Sequence, residues 1–172
     1  MADLTFNTTA GVVAPRNLLI AYLNTGTAET PVWSASGKRV EDSSEELHWN
    51  DESKKDIFGN TYTTMQAPTI TQTFDPCELD SGDVAQVKIW NLAVRDQDAA
   101  TLAALDMMIV HLYAGTAATA MFAERYSSCA IKPTGLGGSS NIGMPIDVTY
   151  GGTRTVGTAA IAAGVPTFTA AA

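Results

Sequence analysis

The chain has 172 residues and a mass of 18.1 kDa, the size of one domain with a short remainder for arms or tails. Hydrophobic residues make up 45%, too many for a disordered chain. Charged residues are only 16%, against roughly 25% in ordinary soluble domains, which points to a surface partly hidden against other copies. The net charge of −8 excludes a protein that grips nucleic-acid backbones with clustered Lys and Arg. No apolar run approaches the roughly 18 residues of a membrane helix. Residues 1–6 hold no basic stretch followed by an apolar one, so neither a membrane span nor a secretion signal is expected. Cys77 and Cys129 match no metal-ligand spacing; two inert thiols in a reducing compartment are expected, a disulfide being the alternative.

In chain order, residues 18–23 (LLIAYL) are apolar on both alternating faces, as in a strand buried on both sides. Residues 41–56 carry seven acids and two bases, more than half of the net charge, with Leu47 and Trp49 at strand spacing. Ile57-Phe58, Gly59-Asn60 and residues 61–65 read as a hairpin with a two-residue turn. Residues 69–74 alternate Thr69, Thr71 and Thr73 against Ile70, Gln72 and Phe74. Asp80 to Asp83 read as a helix cap, followed by Val84, Val87, Asn91 and Val94 at helical spacing. Residues 97–105 extend this helix or start another. Residues 107–113 and 122–131 read as strands, and residues 135–143 (GLGGSSNIG) as a flexible loop. Met144, Ile146, Val148 and Tyr150 give the clearest period of two. Gly151-Gly152 then predicts a tight hairpin into residues 153–158. The Ala-rich residues 159–172 predict a flexible tail.

Chemistry-bearing constellations are sparse. His111 in an apolar strand could pair with Cys77, but a Cys–His nucleophile needs proximity and an oxyanion site, and core packing is the favoured reading. His48 alternates with Glu46 on a solvated face. Asp75, Glu78, Asp80 and Asp83 lack the regular ligand ladder of a calcium loop, with Pro76 interrupting, so helix capping is favoured. The glycine-rich loop has no Lys and is a weak phosphate cradle. Trp33, Trp49 and Trp90 lie on different predicted elements, which favours packing over a stacking platform. No enzyme, cofactor or metal is expected.

Five blocks carry a resemblance. Residues 56–83 (DIFGNTYTTMQAPTITQTFDPCELDSGD) resemble the central segment of major tail proteins, or tail tube proteins, of long-tailed non-contractile bacteriophages. So do residues 18–26 (LLIAYLNTG), 90–99 (WNLAVRDQDA), 122–138 (FAERYSSCAIKPTGLGG) and 148–158 (VTYGGTRTVGT), in the expected order over roughly residues 15–160. The resemblance implies a mainly β (α+β) single domain, an antiparallel β-sandwich or barrel with one flanking helix. It also implies hexameric rings stacked around a tape measure protein into a tube, with terminator and distal tail proteins at its ends. Localisation would be the virion tail, assembled in the host bacterial cytoplasm, with DNA only as passing cargo and no membrane partner. Some relatives carry an added immunoglobulin-like domain, which is not expected here. Another ring-forming tail protein (distal tail or terminator) is the alternative; a carbohydrate-binding β-sandwich or an acidic hydrolase is favoured less.

In similar proteins a long loop projects from the ring onto the next one. The matching segment here is residues 41–60, expected to be mobile alone and ordered in the tube. Its stacking residues would be Glu45, Glu46, Trp49, Glu52, Lys54 and Lys55, with Arg16, Lys38, Arg39, Arg125 and Arg154 as candidate basic partners for its acids.

Overall fold

The computed structural model describes residues 4–171. Residues 1–3, part of the stretch inspected for a signal, and Ala172 of the Ala-rich end lie outside the described residues. The chain is mainly β, an antiparallel sheet curled into a half-barrel and flanked by helix. In order it forms β1 (Leu19–Asn24), β2 (Trp33–Ser36), β3 (Val40–Asp42), β4 (Glu45–Lys55) and β5 (Thr61–Cys77). A helical stretch follows: α1 (Val84–Trp90), a π-helical turn at Asn91–Arg95, and α2 (Ala99–Leu102). The rest is β6 (Leu105–Thr116), β7 (Ala120–Pro133), β8 (Ile146–Tyr150), β9 (Arg154–Ala162) and β10 (Val165–Ala170).

β7 organises the whole. One edge pairs with β6, and β6 leads through β1 to β2. Its other edge meets β9 along its first half and β8 along its second. β8 and β9 therefore form no hairpin with each other, contrary to the sequence expectation at Gly151-Gly152. They are successive parts of one path antiparallel to β7, interrupted where that path passes Ser127 and Ser128. The glycines are needed for closeness: a Cβ on Gly151 would lie 2.8 Å from the Ser128 carbonyl oxygen, and one on Gly152 (φ +70°) would lie 2.7 Å from Ser127 Oγ.

Two apolar clusters line the two faces of this sheet. One face carries Leu23, Met107, Ile109 and Tyr126, covered by Phe74 and Cys77 of β5, Ile146 and Val148 of β8, and Ala85 and Ile89 of α1. The other gathers Tyr22, Trp33, Met108, Val110, Met121, Ala123 and Ala159, with Phe168 of β10 against them. That second cluster draws on β1, β2, β6, β7, β9 and β10. It is buried because the sheet curls until β10 lies beside β2. The Ala-rich end is therefore structural: β9 and β10 pair from Gly157↔Ala170 to Ala162↔Val165, correcting the expected tail. Small side chains let β10 close over the cluster. A Cβ on Gly157 would sit only 2.2 Å from the Thr169 carbonyl oxygen. Gly157→Ala should thus separate β10 from β9 and lower stability by about 1–3 kcal/mol, read by urea unfolding, although Gly→Ala in a strand is ordinarily favourable.

The helix exists with the opposite face buried. Asp83 caps it by accepting the Gln86 N–H at 3.1 Å. That start turns Ala85, Gln86 and Ile89 inward and leaves Val84, Val87 and Val94 exposed. Gln86 fixes this phase, because its amide bonds the Asp80 N–H, the Lys38 carbonyl and Cys77 Sγ. Residues 97–105 start the separate α2, capped by Asp98. The loop over residues 135–143 closes on itself through paired Gly137–Gly143 backbone bonds of 3.0 and 2.7 Å, with no strand-to-helix geometry around it.

Candidate assembly interface

The acidic segment is strand rather than loop. Glu45–Lys55 form β4 and pair with β5 from Glu45↔Gln72 to Lys55↔Thr61. The register shifts once: His48 faces Thr69 and Asn50 faces Gln66, so Trp49 lies opposite both Ala67 and Pro68. Pro68 has no N–H to offer a ladder, so a bulge belongs at this point. Beyond it, among the described residues, residues 50–55 and 61–66 pair only with each other, and β8 joins β5 no earlier than Ile70. The result is a two-stranded ribbon about 20 Å long with both outer edges open. The sheet's other edges are β2, β3 and β10, each with one neighbour among the described residues.

The ribbon ends in a five-residue loop in place of the expected two-residue turn. Asp56 Oδ1 accepts the N–H groups of Phe58 and Asn60, and its Oδ2 accepts from the Asn60 side chain. Those bonds hold the Asp56 carboxyl below its ordinary pKa, the Asn60 side chain contributing most. Gly59 takes φ +84°, the left-handed region. The loop thus holds Ile57 and Phe58 out at its tip, 94% and 83% exposed. Exposed apolar side chains on a fixed loop are the feature that sequence reasoning missed. The apolar pair inside a polar stretch was its signal, read there as strand.

The other end of the hairpin meets a buried charge network. Glu124 of β7 is 5% exposed. Its Oε2 accepts from Arg154 Nε at 2.6 Å and Tyr126 OH at 2.8 Å, and His111 Nε2 lies 3.0 Å from its Oε1. Burial alone would raise this carboxyl, but those three bonds outweigh it and bring the pKa down to about 2. Glu45 opens β4 beside this network, and its own carboxyl is lifted by burial, with Arg154 and Arg16 opposing. β4 begins half-buried beside this network at Glu45 and is exposed along its remaining length.

The six expected stacking residues share β4 without acting alike. Glu45 is half-buried beside the network, whereas Glu46, Trp49, Glu52, Lys54 and Lys55 are on the open part. Glu46 lies 3.4 Å from His48, and Glu52 lies 3.1 Å from Lys54. Within the chain the candidate basic partners already have partners of their own. Arg154 holds Glu124, Arg125 holds Asp106, and Lys38 and Arg39 hold Asp80. Arg16 donates to the Ser43 and Leu19 carbonyls.

The remaining candidates are dispersed. Cys77 bonds Gln86 and His111 bonds Tyr113 and Glu124, so they share no partner, and burial pushes the Cys77 thiol up to about 11. A thiol that stays protonated at neutral pH is a poor nucleophile. Cys129 is a second free, buried cysteine. Of the four clustered acids, Asp83 caps α1, Asp80 binds Lys38 and Arg39, and Glu78 accepts from Asn141. No group of three or more metal-ligating side chains occurs among the described residues. Trp33 is buried on β2, Trp49 is exposed on β4 and Trp90 is partly buried on α1, so they form no platform.

No protein-family model matches the chain, and no curated protein sequence is significantly similar to it. Several solved structures are similar in fold. One, titled as the anti-feeding prophage cap (AFP tube terminating cap), has TM-score 0.47 and 17% identity, covering 88% of this chain and 95% of that one. A second, the PVC sheath–tube complex of an extracellular contractile injection system in its extended state, has TM-score 0.48 and 12% identity over 86% of this chain and 93% of that one. A third, the sheath/tube terminator of the same kind of system, has TM-score 0.47 and 12% identity over 86% and 99%. Two of these titles name a contractile system, whereas the sequence blocks resemble non-contractile tails.

Proposed function

We propose that the chain is a structural tail protein that assembles into rings, and that its rings stack into a tail tube. The carrying observation is the ribbon of residues 50–55 and 61–66, with two open edges and almost every side chain exposed. A two-stranded ribbon is marginally stable alone, and its unpaired N–H and C=O groups are satisfied by strands of neighbouring copies. The ordered sequence blocks over residues 15–160 support the same reading. Six copies per ring, a tape measure protein inside and DNA as passing cargo follow from the resemblance. An acidic chain suits a conduit, because like charge keeps DNA phosphates from sticking. A protein that terminates a tube, the role named in the cap and terminator titles, is the second reading.

Negative-stain microscopy of concentrated protein tests this. Long hollow tubes are expected. Isolated rings would favour the terminating role, and monomers at every concentration and salt would refute both. The proposed role involves no catalysis. Cys77→Ser and His111→Ala should lower stability, since both side chains have internal partners, while leaving assembly intact by light scattering.

Stacking is proposed to use the open part of β4. Glu46→Lys with Glu52→Lys should leave the monomer folded and weaken ring-to-ring association at low salt. Individual exposed pairs contribute about 0–1 kcal/mol, but six copies repeat each contact. Trp49→Ala, at a side chain 54% exposed, should do the same through lost burial. Glu45→Lys is a different experiment, because it places a cation in a half-buried position near His111 and Arg154.

A further inference from the structure

Asn24, the last residue of β1, is 4% exposed, and its side-chain amide is held from both ends. Its Oδ1 accepts two backbone N–H groups, from Gly26 at 2.9 Å and from Val32 at 3.0 Å. Its Nδ2 donates to the Thr27 carbonyl at 2.8 Å and lies 3.3 Å from Asp106 Oδ2 on β6. Turning the amide over would set its NH2 against two N–H donors, so this orientation is fixed. Gly26 allows the tight return of the chain, because a Cβ there would collide with the Thr30 carbonyl oxygen. From α1, the half-buried Lys88 donates from Nζ to the Asn24 main-chain carbonyl at 2.8 Å. Arg125 holds the Asp106 carboxylate through bonds of 3.0, 3.2 and 2.6 Å.

These groups are the parts of an acyl transfer. Two backbone N–H groups on an amide oxygen polarise its carbonyl, and the same donors stabilise a tetrahedral oxyanion. A lysine amine is a nucleophile once neutral, and burial holds the Lys88 ammonium below its ordinary pKa, with Asp106 opposing. A carboxylate beside the leaving nitrogen carries a proton to it. We propose that Lys88 and Asn24 join in a side-chain isopeptide bond, with Asp106 as the proton carrier. Nζ already touches Asn24, and a turn of its flexible stem takes it from the main-chain oxygen to Cγ of the same residue. Lys88 Nζ attacks Asn24 Cγ, and the carbonyl electron pair moves onto Oδ1 between the Gly26 and Val32 N–H groups. Asp106 takes a proton from Nζ and returns it to Nδ2. The Cγ–Nδ2 bond then breaks, ammonia leaves, and the Nζ–Cγ amide remains. The step needs no oxidant or co-reactant, and it occurs once per chain, so no substrate is turned over. It staples β1 to α1 across 64 residues of sequence, a long loop whose closure restricts the unfolded chain.

Intact-mass spectrometry of the denatured chain tests this, after the folded protein has stood at mildly alkaline pH to favour the neutral amine. The expected wild-type mass is that of the sequence less one ammonia, and a tryptic digest should yield a branched peptide joining Asn24 to Lys88. Lys88→Arg keeps a cation beside Asn24 but supplies no amine, so it should keep its full mass and unfold at lower urea than the cross-linked wild type. Asp106→Asn should slow the loss of ammonia by about a hundredfold or more, the usual contribution of a positioned proton carrier. An unchanged rate in folded Asp106→Asn would overturn its part in the step. A full mass for wild type overturns the bond itself, and decides the matter even where Asp106→Asn fails to fold. Ammonia lost equally from Lys88→Arg would mean that Asn24 cyclises onto its own backbone, which also overturns the bond. Neither result touches the ring-forming reading, which concerns contacts between copies.

Discussion

Glu124→Ala is expected to lower the stability of the subunit by about 3–5 kcal/mol at neutral pH, the range for removing one partner of a buried ion pair. His111 and Tyr126 would lose a buried shared acceptor, and the half-exposed Arg154 its ion-pair partner. Glu124→Gln keeps the shape and one acceptor, so it should cost less. The same carboxylate sets a pH dependence. Its folded pKa of about 2 lies below the ordinary Glu value, so the unfolded chain binds the proton more readily between the two. The contribution is therefore complete above about pH 5 and lost as pH falls towards 2, a span of roughly 3 kcal/mol. Urea unfolding from pH 7 to pH 3 reads it. Wild type should weaken steeply on acidification and Glu124→Ala much less; equal slopes would refute the role.

Met107→Ala and Met108→Ala are each expected to cost about 2–5 kcal/mol, although the residues are neighbours on one strand. In a sheet with one wet face, one of the two would point into solvent and cost within about 0.5 kcal/mol. Here Met107 packs with Ile109, Tyr126 and Ile131, while Met108 packs with Tyr22, Trp33 and Val110 on the opposite face. The two sites share no cluster, so the double variant should equal the sum to within about 0.5 kcal/mol. Denaturant titrations of the two singles and the double test this. A Met108→Ala cost near zero would mean that the face closed by β10 is not a core.

Both effects act on the scaffold, and the scaffold gives the hairpin its reach. β7 is buried on both faces and pairs with β8, and β5 leaves β8 at Ile70 with its ladder to β4 already formed. The ribbon is thus aimed by the core, whereas its own residues contribute little to folding. Variants on the ribbon should change assembly without changing stability, and variants in the network should change stability.

Local pattern was enough for the strands themselves. Ile70, Gln72 and Phe74 alternate with Thr69, Thr71 and Thr73, and the structure buries the first set and not the second. Residues 107–113, 122–131 and 146–150 lie within observed strands, because period two and apolar runs reflect side-chain direction, which a strand fixes residue by residue. What a strand pairs with depends on residues distant in sequence, and there local rules failed. Gly151-Gly152 has the composition of a turn, yet it serves a close crossing past Ser127 and Ser128. Val84, Val87 and Val94 have helical spacing, yet the buried face was decided by the Asp83 cap and by Gln86 reaching Cys77. The acidic segment and the Ala-rich end lack the apolar surface that marks a core strand, so composition read them as loop and tail. Each is a strand because a partner completes its backbone hydrogen bonds, β5 for the first and β9 for the second. The site shows the same division. Sequence placed Glu46, Trp49, Glu52 and Lys55 on one segment, but only the tertiary structure brought Glu45 beside the buried network and carried Ile57 and Phe58 out to an exposed tip. Backbone direction is written locally; burial and partnership are properties of the closed sheet.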